Sequence, residues 1–265
     1  MIKLHLKAIR AYLGVPKNSC NVGVLSEVDW LLPEYRTRIR MIRQYSRMLN
    51  MEDSRLTKRI MLWDRRLNSS GTVSSWSNEI KLILDQCNLS SVYSSNHSFH
   101  LKTVIESISN KFKQDQCNFL RTECAKMPKL RTFMLFKEFG ATAPHLTKPL
   151  NFFQRKTLSK LRLGSLELRI DLGRYQRPAL KIHERNCLAC SKDSLVKPVE
   201  TEYHFLFGCK ANDFLRREWF QKMTLPENFQ YLPDHRKLDL LLNKPENVKS
   251  CAQFVINMLS VRNPA

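Results

Sequence analysis

Acidic residues, glycine and long apolar runs are all scarce in this 265-residue chain. Seven glycines leave few positions for tight turns and favour helices over strands. No apolar run approaches the roughly 18 residues that a membrane-spanning helix needs. The start of the chain carries Lys3, His5 and Lys7 where a secretory signal would have an apolar core. Eight cysteines are too few for a disulfide scaffold and are irregularly spaced except for Cys187 and Cys190. Together these features predict a soluble, intracellular protein, nuclear or cytoplasmic or both, in a reducing compartment. No phosphate-binding glycine loop, Gly-x-Ser-x-Gly elbow or His-Glu-x-x-His motif occurs. The hydrophobic content of 43% is ordinary and excludes wholesale disorder. The acid deficit is the sharpest departure: 24 Asp and Glu face 44 Lys and Arg, a net charge of +20. An excess of that size repels itself in a compact fold and seeks a polyanion.

What is present reads as mostly α. Ile2, Leu6, Ile9 and Leu13 space a short helix that Gly14 and Pro16 stop, and residues 14–33 are mixed. A stronger helix begins at Pro33 with Tyr35, Ile39, Ile42 and Leu49 on one line. Arg36, Arg40, Arg43 and Arg47 form the opposite line. A basic helix over roughly 54–67 is expected to turn Leu56, Ile60, Trp63 and Leu67 inward and Arg55, Lys58, Arg59, Arg65 and Arg66 outward. Ser-rich stretches at 69–77 and 90–98 read as loops around a helix bearing Ile80, Ile83, Leu84 and Cys87. A long helix is expected over about 99–126, another over 129–139 and a basic one over 150–163. Residues 166–170 alternate as a short strand would, with further small β elements up to 208, and helices at 211–222 and 245–261 complete the chain. Two regions follow: 1–145, basic and helical, and 146–265, with a basic helix, a cysteine knuckle and C-terminal helices.

One segment carries metal chemistry. Cys187 and Cys190 are separated by two residues, Cys190 and His204 by thirteen, and His204 and Cys209 by four. Three thiolates and an imidazole at such spacings make a closed tetrahedral zinc site, with a structural role because no position is left for water. Zinc then supplies folding energy to the segment. His183 is the rival fourth ligand. Glu202 either orients His204 or is solvated.

The stretch Lys160-Leu-Arg-Leu-Gly164, Gly173-Arg-Tyr175, Arg185-Asn-Cys187-Leu-Ala-Cys190 and Glu200-Thr-Glu202-Tyr-His204-Phe-Leu-Phe-Gly-Cys209 resembles the C-terminal region of non-LTR, LINE-type retrotransposon polyproteins, which follows the reverse transcriptase. The family's Glu-x-x-His places Glu where Thr201 stands here. Tyr12-Leu-Gly14-Val-Pro, Asp29-Trp30, Arg36–Met51 and Arg55–Asp64 are similar to the segment joining polymerase and knuckle. The resemblance implies a thumb-and-linker-like helical part, a CCHC knuckle, and RNA or DNA as partner. A polymerase holds two magnesium ions on paired Asp residues. No two Asp are adjacent in this chain, so catalysis is expected to lie elsewhere.

The basic lines are the expected contacts. Acids are nearly absent from 35–49, and guanidinium forks suit phosphate oxygens. The same holds for Arg55, Lys58, Arg59 and Arg65, and for Arg155, Lys156, Lys160 and Arg162. Tyr175, between Arg174 and Arg177, is the most plausible base stacker; Phe205 is another, and Trp63 is the better fit to core packing. The expectation is a nucleic-acid-binding segment without its own catalytic centre, without membrane or small-molecule partner. The alternative is a helical protein-interaction module, a domesticated transposon fragment with a structural zinc clip.

Overall fold

The computed structural model describes residues 2–69, 75–95, 99–190 and 197–262. Parts of both Ser-rich stretches, and His97, lie outside them. The architecture is mostly α. Helices run over Ile2–Leu13 (α1), Asn21–Val28 (α2), Pro33–Leu49 (α3), Leu56–Ser69 (α4), Ser75–Gln86 (α5), Ser90–Ser94 (α6) and Leu101–Ala125 (α7). Pro144–Thr147 (α8), Phe152–Arg162 (α9), Arg169–Leu172 (α10), Asp213–Phe220 (α11), Asp234–Leu242 (α12) and Val248–Arg262 (α13) follow. Contacts divide the chain into two compact units: residues 31–118 with Ile2, and residues 3–30 with 119–265. The division does not fall at 145/146, because His145 is bound to Ser159 in one core.

In the first unit, Ile39, Ile42, Tyr45 and Leu49 of α3 pack with Ile80, Ile83 and Leu84 of α5 and Val104, Ile108 and Phe112 of α7. Pro33 opens α3, and the backbone N–H of Leu32 donates to the buried Gln116 Oε1 at 2.8 Å. Helix α4 corrects the sequence expectation. Its inner face is Met61 and Arg65, whereas Leu56, Ile60 and Trp63 face solvent, Trp63 at 59% exposure. The reason is polar. The Arg65 guanidinium lies 4.9 Å from the Tyr93 ring centre and donates to the Tyr93 carbonyl. Lys58 Nζ donates to the Met51 carbonyl at 2.8 Å, and Ser77 donates to Asp64. These contacts set the rotation of the helix against hydrophobic spacing.

The second unit is organised around α13 and α9. Helix α13 buries Val248, Cys251, Ala252, Phe254, Val255 and Met258. Two helices absent from the sequence reading, α2 and α12, lie in this unit. Helix α2 is hard to read because it is buried from Gly23 to Val28, polar residues included. A Cβ at Gly23 would come within 2.9 Å of the Leu163 side chain, so only glycine lets α2 approach. Residues 129–139 form no continuous helix but two 3-10 turns, Pro128–Leu130 and Phe133–Leu135. Leu130, Phe133 and Phe136 are buried at intervals of three, the period of such turns. Residues 166–170 do bury alternately but enter α10 instead of a ladder. The β content among the described residues is one antiparallel bridge, Asn186 to Val199.

Arg162, expected on a phosphate-binding face, is 1% exposed. Its Nε and one terminal nitrogen donate to the two carboxylate oxygens of Glu27 at 2.8 and 3.1 Å. Its other terminal nitrogen donates to the Leu242 carbonyl and Asn243 Oδ1, both at 3.0 Å, and the guanidinium lies 4.7 Å from the Phe136 ring centre. Burial is the largest single influence and would raise the Glu27 pKa, but Arg162, His145 and Lys137 together outweigh it and the carboxyl sits below its ordinary range. His145 Nε2 lies 3.7 Å from Glu27, and burial drives the imidazole down to about 3.

Two outcomes are expected. Arg162→Met leaves a buried carboxylate unpaired and costs about 3–5 kcal/mol in urea unfolding, while Arg162→Met with Glu27→Leu recovers most of it. A double variant no more stable than the single would contradict the pairing. Folded His145 stays neutral where the unfolded chain protonates it, so stability present above pH 6.5 falls as pH drops towards 3. Between pH 6 and 4.5 the unfolding free energies of wild type and His145→Gln should diverge by up to about 1.4 kcal/mol per pH unit. A pH-independent difference would refute it.

Candidate metal centre and basic faces

Cys187, Cys190, His204 and Cys209 converge in the second unit, their ligand atoms all within 4.8 Å of one another. Cys187 Sγ to Cys209 Sγ is 3.9 Å, Cys190 Sγ to Cys209 Sγ is 3.5 Å, and Cys190 Sγ to His204 Nε2 is 3.6 Å. A tetrahedron with metal–sulfur bonds near 2.3 Å has edges of about 3.8 Å. The separations match those edges and are far beyond the roughly 2.05 Å of a disulfide. This cluster can hold a metal ion.

Local structure delivers each ligand. The Asn186–Val199 bridge, with the Cys187 N–H donating to the Pro198 carbonyl at 2.9 Å, fixes the entry to the first pair. His204 opens a π turn, His204–Gly208, which the Cys209 N–H closes onto the His204 carbonyl at 2.7 Å. That wide turn brings residues five apart to one point. Thr201 Oγ1 accepts from the His204 N–H at 3.1 Å, so Thr201 caps the turn. The Cys187 thiol is drawn below its ordinary range by its hydrogen bond with Cys209, against burial, with help from His204 and the Cys190 and Ala189 backbone; Cys209 is raised by the same bond. Amides aimed at Cys187 sulfur suit a thiolate.

Arginines brace the cluster, and the sequence reading missed them. Arg216 donates to the Leu206 carbonyl at 3.0 Å and the Cys209 carbonyl at 2.5 Å. Arg185 donates to the Ile170 and Leu180 carbonyls, and Arg262 to Glu200 at 2.9 Å. Glu202 neither orients His204 nor is solvated. It is 2% exposed and accepts from Arg131 at 2.5 Å and Thr132 at 2.9 Å. His183 is exposed and outside the cluster.

The basic lines separate on inspection. Arg36, Arg40, Arg43 and Arg47 are all exposed on α3, and no ion pair holds them among the described residues. Arg55 and Arg59 are exposed as well, but Lys58 is tied to Met51 and to Asp53 at 2.7 Å. On α9, Arg155 donates to the Tyr12 carbonyl at 3.1 Å and Lys160 pairs with Glu167 at 3.1 Å. Lys156 lies beside Gly14 and under the Phe152 ring. With Arg162 buried, this line is not an open phosphate face. Tyr175 is 58% exposed beside the exposed Arg177 and half-buried Arg174, whereas Phe205 is buried and cannot stack on a base. No helix among the described residues is long and apolar enough to cross a membrane. No family model, curated protein or solved structure matches the chain.

Cobalt(II) titration tests the ligand set. The wild type should take up one equivalent with the visible absorption of a tetrahedral thiolate site; Cys209→Ser and His204→Ala should lose it, and His183→Ala should keep it. Retention by His204→Ala would exclude the assigned set.

Proposed function

We propose that this chain is a nucleic-acid-binding segment of the kind found at the C-terminal end of LINE-type retrotransposon polyproteins, with its catalytic centre elsewhere. The observation that carries the reading is the α3 face, where Arg36, Arg40, Arg43 and Arg47 are exposed with no carboxylate partner among the described residues. Folding keeps such a line uncompensated at a cost in self-repulsion, which a phosphate backbone offsets. Template RNA or target DNA is the partner class, and Arg55, just before α4, and Arg59 on it add cationic surface to the same unit. In the second unit Cys187, Cys190, His204 and Cys209 hold zinc, which soft thiolates favour. Bound zinc supplies folding energy and no open coordination position.

One observation favours the second reading, a protein-interaction module. Leu56, Ile60 and Trp63 make an apolar strip on the outside of α4. Nuclease treatment separates the two: a protein partner survives it.

Fluorescence anisotropy with a labelled single strand across salt tests the main reading. Changing Arg36, Arg40, Arg43 and Arg47 together to Gln should weaken binding and flatten the slope of log affinity against log salt by about 3, four phosphate contacts at roughly 0.7 each. Lys58→Gln should leave the slope unchanged. Equal slopes for wild type and the quadruple variant would overturn the role of α3.

A further inference from the structure

The π turn that carries His204 has a second side. His204 is directed at the thiols, while Tyr203 and Phe207 of the same segment line a cavity of about 690 Å³. That volume falls within the roughly 300–1,000 Å³ of small-ligand sites. The walls are aromatic and contiguous. The Tyr203 and Phe207 ring centres are 4.9 Å apart, Phe207 and Phe229 are 6.2 Å apart, and Phe220 and Phe229 meet edge to face at 5.3 Å. The Asp234 carboxylate lies beside the Tyr203 hydroxyl, whose pKa is raised by burial first and by that carboxylate second. Arg216, also on the lining, is committed to the Leu206 and Cys209 carbonyls and to Asp213.

The remaining polar groups specify the ligand. Gln221 and Gln230 each offer an amide donor and an amide acceptor to the cavity. Arg217 and Lys237 add two cations, and neither has an ion pair among the described residues. Glu227 is the lining carboxylate left unpaired among the described residues, able to accept from an exocyclic amine. Aromatic faces, amide edges and neighbouring cations suit a planar heterocycle joined to a phosphate.

We propose that the cavity bounded by Tyr203, Phe207 and Phe229 receives one unpaired nucleobase, with Arg217 and Lys237 on its phosphate, and that the metal centre holds the wall of this pocket in shape. The assignment rests on the nucleic-acid reading and deepens it. It replaces the sequence candidate Phe205 with Phe207, two residues on. Bases stack on aromatic side chains with little sequence preference, so the pocket anchors a strand and does not read it.

The test uses the full, metal-loaded chain and a single-stranded RNA with 2-aminopurine at one position, an abasic strand of the same length, and free adenosine monophosphate. Binding should quench the 2-aminopurine several-fold as its base stacks, and the abasic strand should bind about tenfold more weakly. Phe207→Leu and Arg217→Gln should each remove the quench while keeping the cobalt spectrum, which shows that the turn is folded. Saturation transfer to the base protons of adenosine monophosphate, lost in Phe207→Leu, would show that a free nucleotide supplies the same chemistry. If the strand binds through the α3 arginines but neither 2-aminopurine nor adenosine monophosphate responds, the pocket assignment is wrong and the nucleic-acid reading stands. If no strand binds at low salt, both fall.

Discussion

The Arg162–Glu27 pair is the constraint on which the second unit depends. Two opposite charges are removed from water, and the arrangement is tolerable only because nearly every polar atom is answered. The requirement fixes three helices at once. Glu27 brings α2, Arg162 brings the end of α9, and the Leu242 carbonyl with Asn243 brings the end of α12. Hydrophobic packing of α13 against α9 fills the space around them, but packing alone tolerates sliding. A bidentate pair does not, and that geometric stringency is its contribution to the fold.

The same device recurs around the thiol cluster. Among the described residues from 185 to 212, regular structure is limited to short turns and one β bridge. Arginine-to-carbonyl bonds from Arg185 and Arg216 stand in for a sheet, and the four metal ligands close what the arginines frame. Some of the chain's positive charge is therefore structural. Arg65, Arg131, Arg162, Arg185, Arg216 and Arg262 are all engaged within their own units. The charge left over includes the α3 line, Arg36, Arg40, Arg43 and Arg47, which is uncompensated among the described residues and open to a polyanion.

Much of the helical layout was legible from spacing: α1, α3, α5, α7, α9 and α13 lie near their expected positions because each alternates apolar and polar residues at the helical period. The Cys187, Cys190, His204 and Cys209 cluster was legible because it is local and its residue types are rare. Three illegible features share one cause, polar residues facing inward. Helix α2 hides behind Ser26 and Glu27, α4 is rotated by Arg65 and Lys58, and Arg162 looks like its surface neighbours Arg155 and Lys160. Charge in a sequence carries no sign of its partner, and Glu27 lies 135 positions from Arg162. The cavity could not be read because its rings come from residues 203 to 229, brought together by a turn of unusual width.

On the proposed reading the chain holds a strand through the α3 guanidinium line and the aromatic pocket beside the thiol cluster. Ultraviolet cross-linking of the full, metal-loaded chain to single-stranded RNA, with the adducts located by mass spectrometry, tests this most directly. The account predicts adducts on Tyr203 or Phe207 and in peptides from residues 36–47. Adducts confined to other residues, or none under conditions where the RNA is retained, would contradict it.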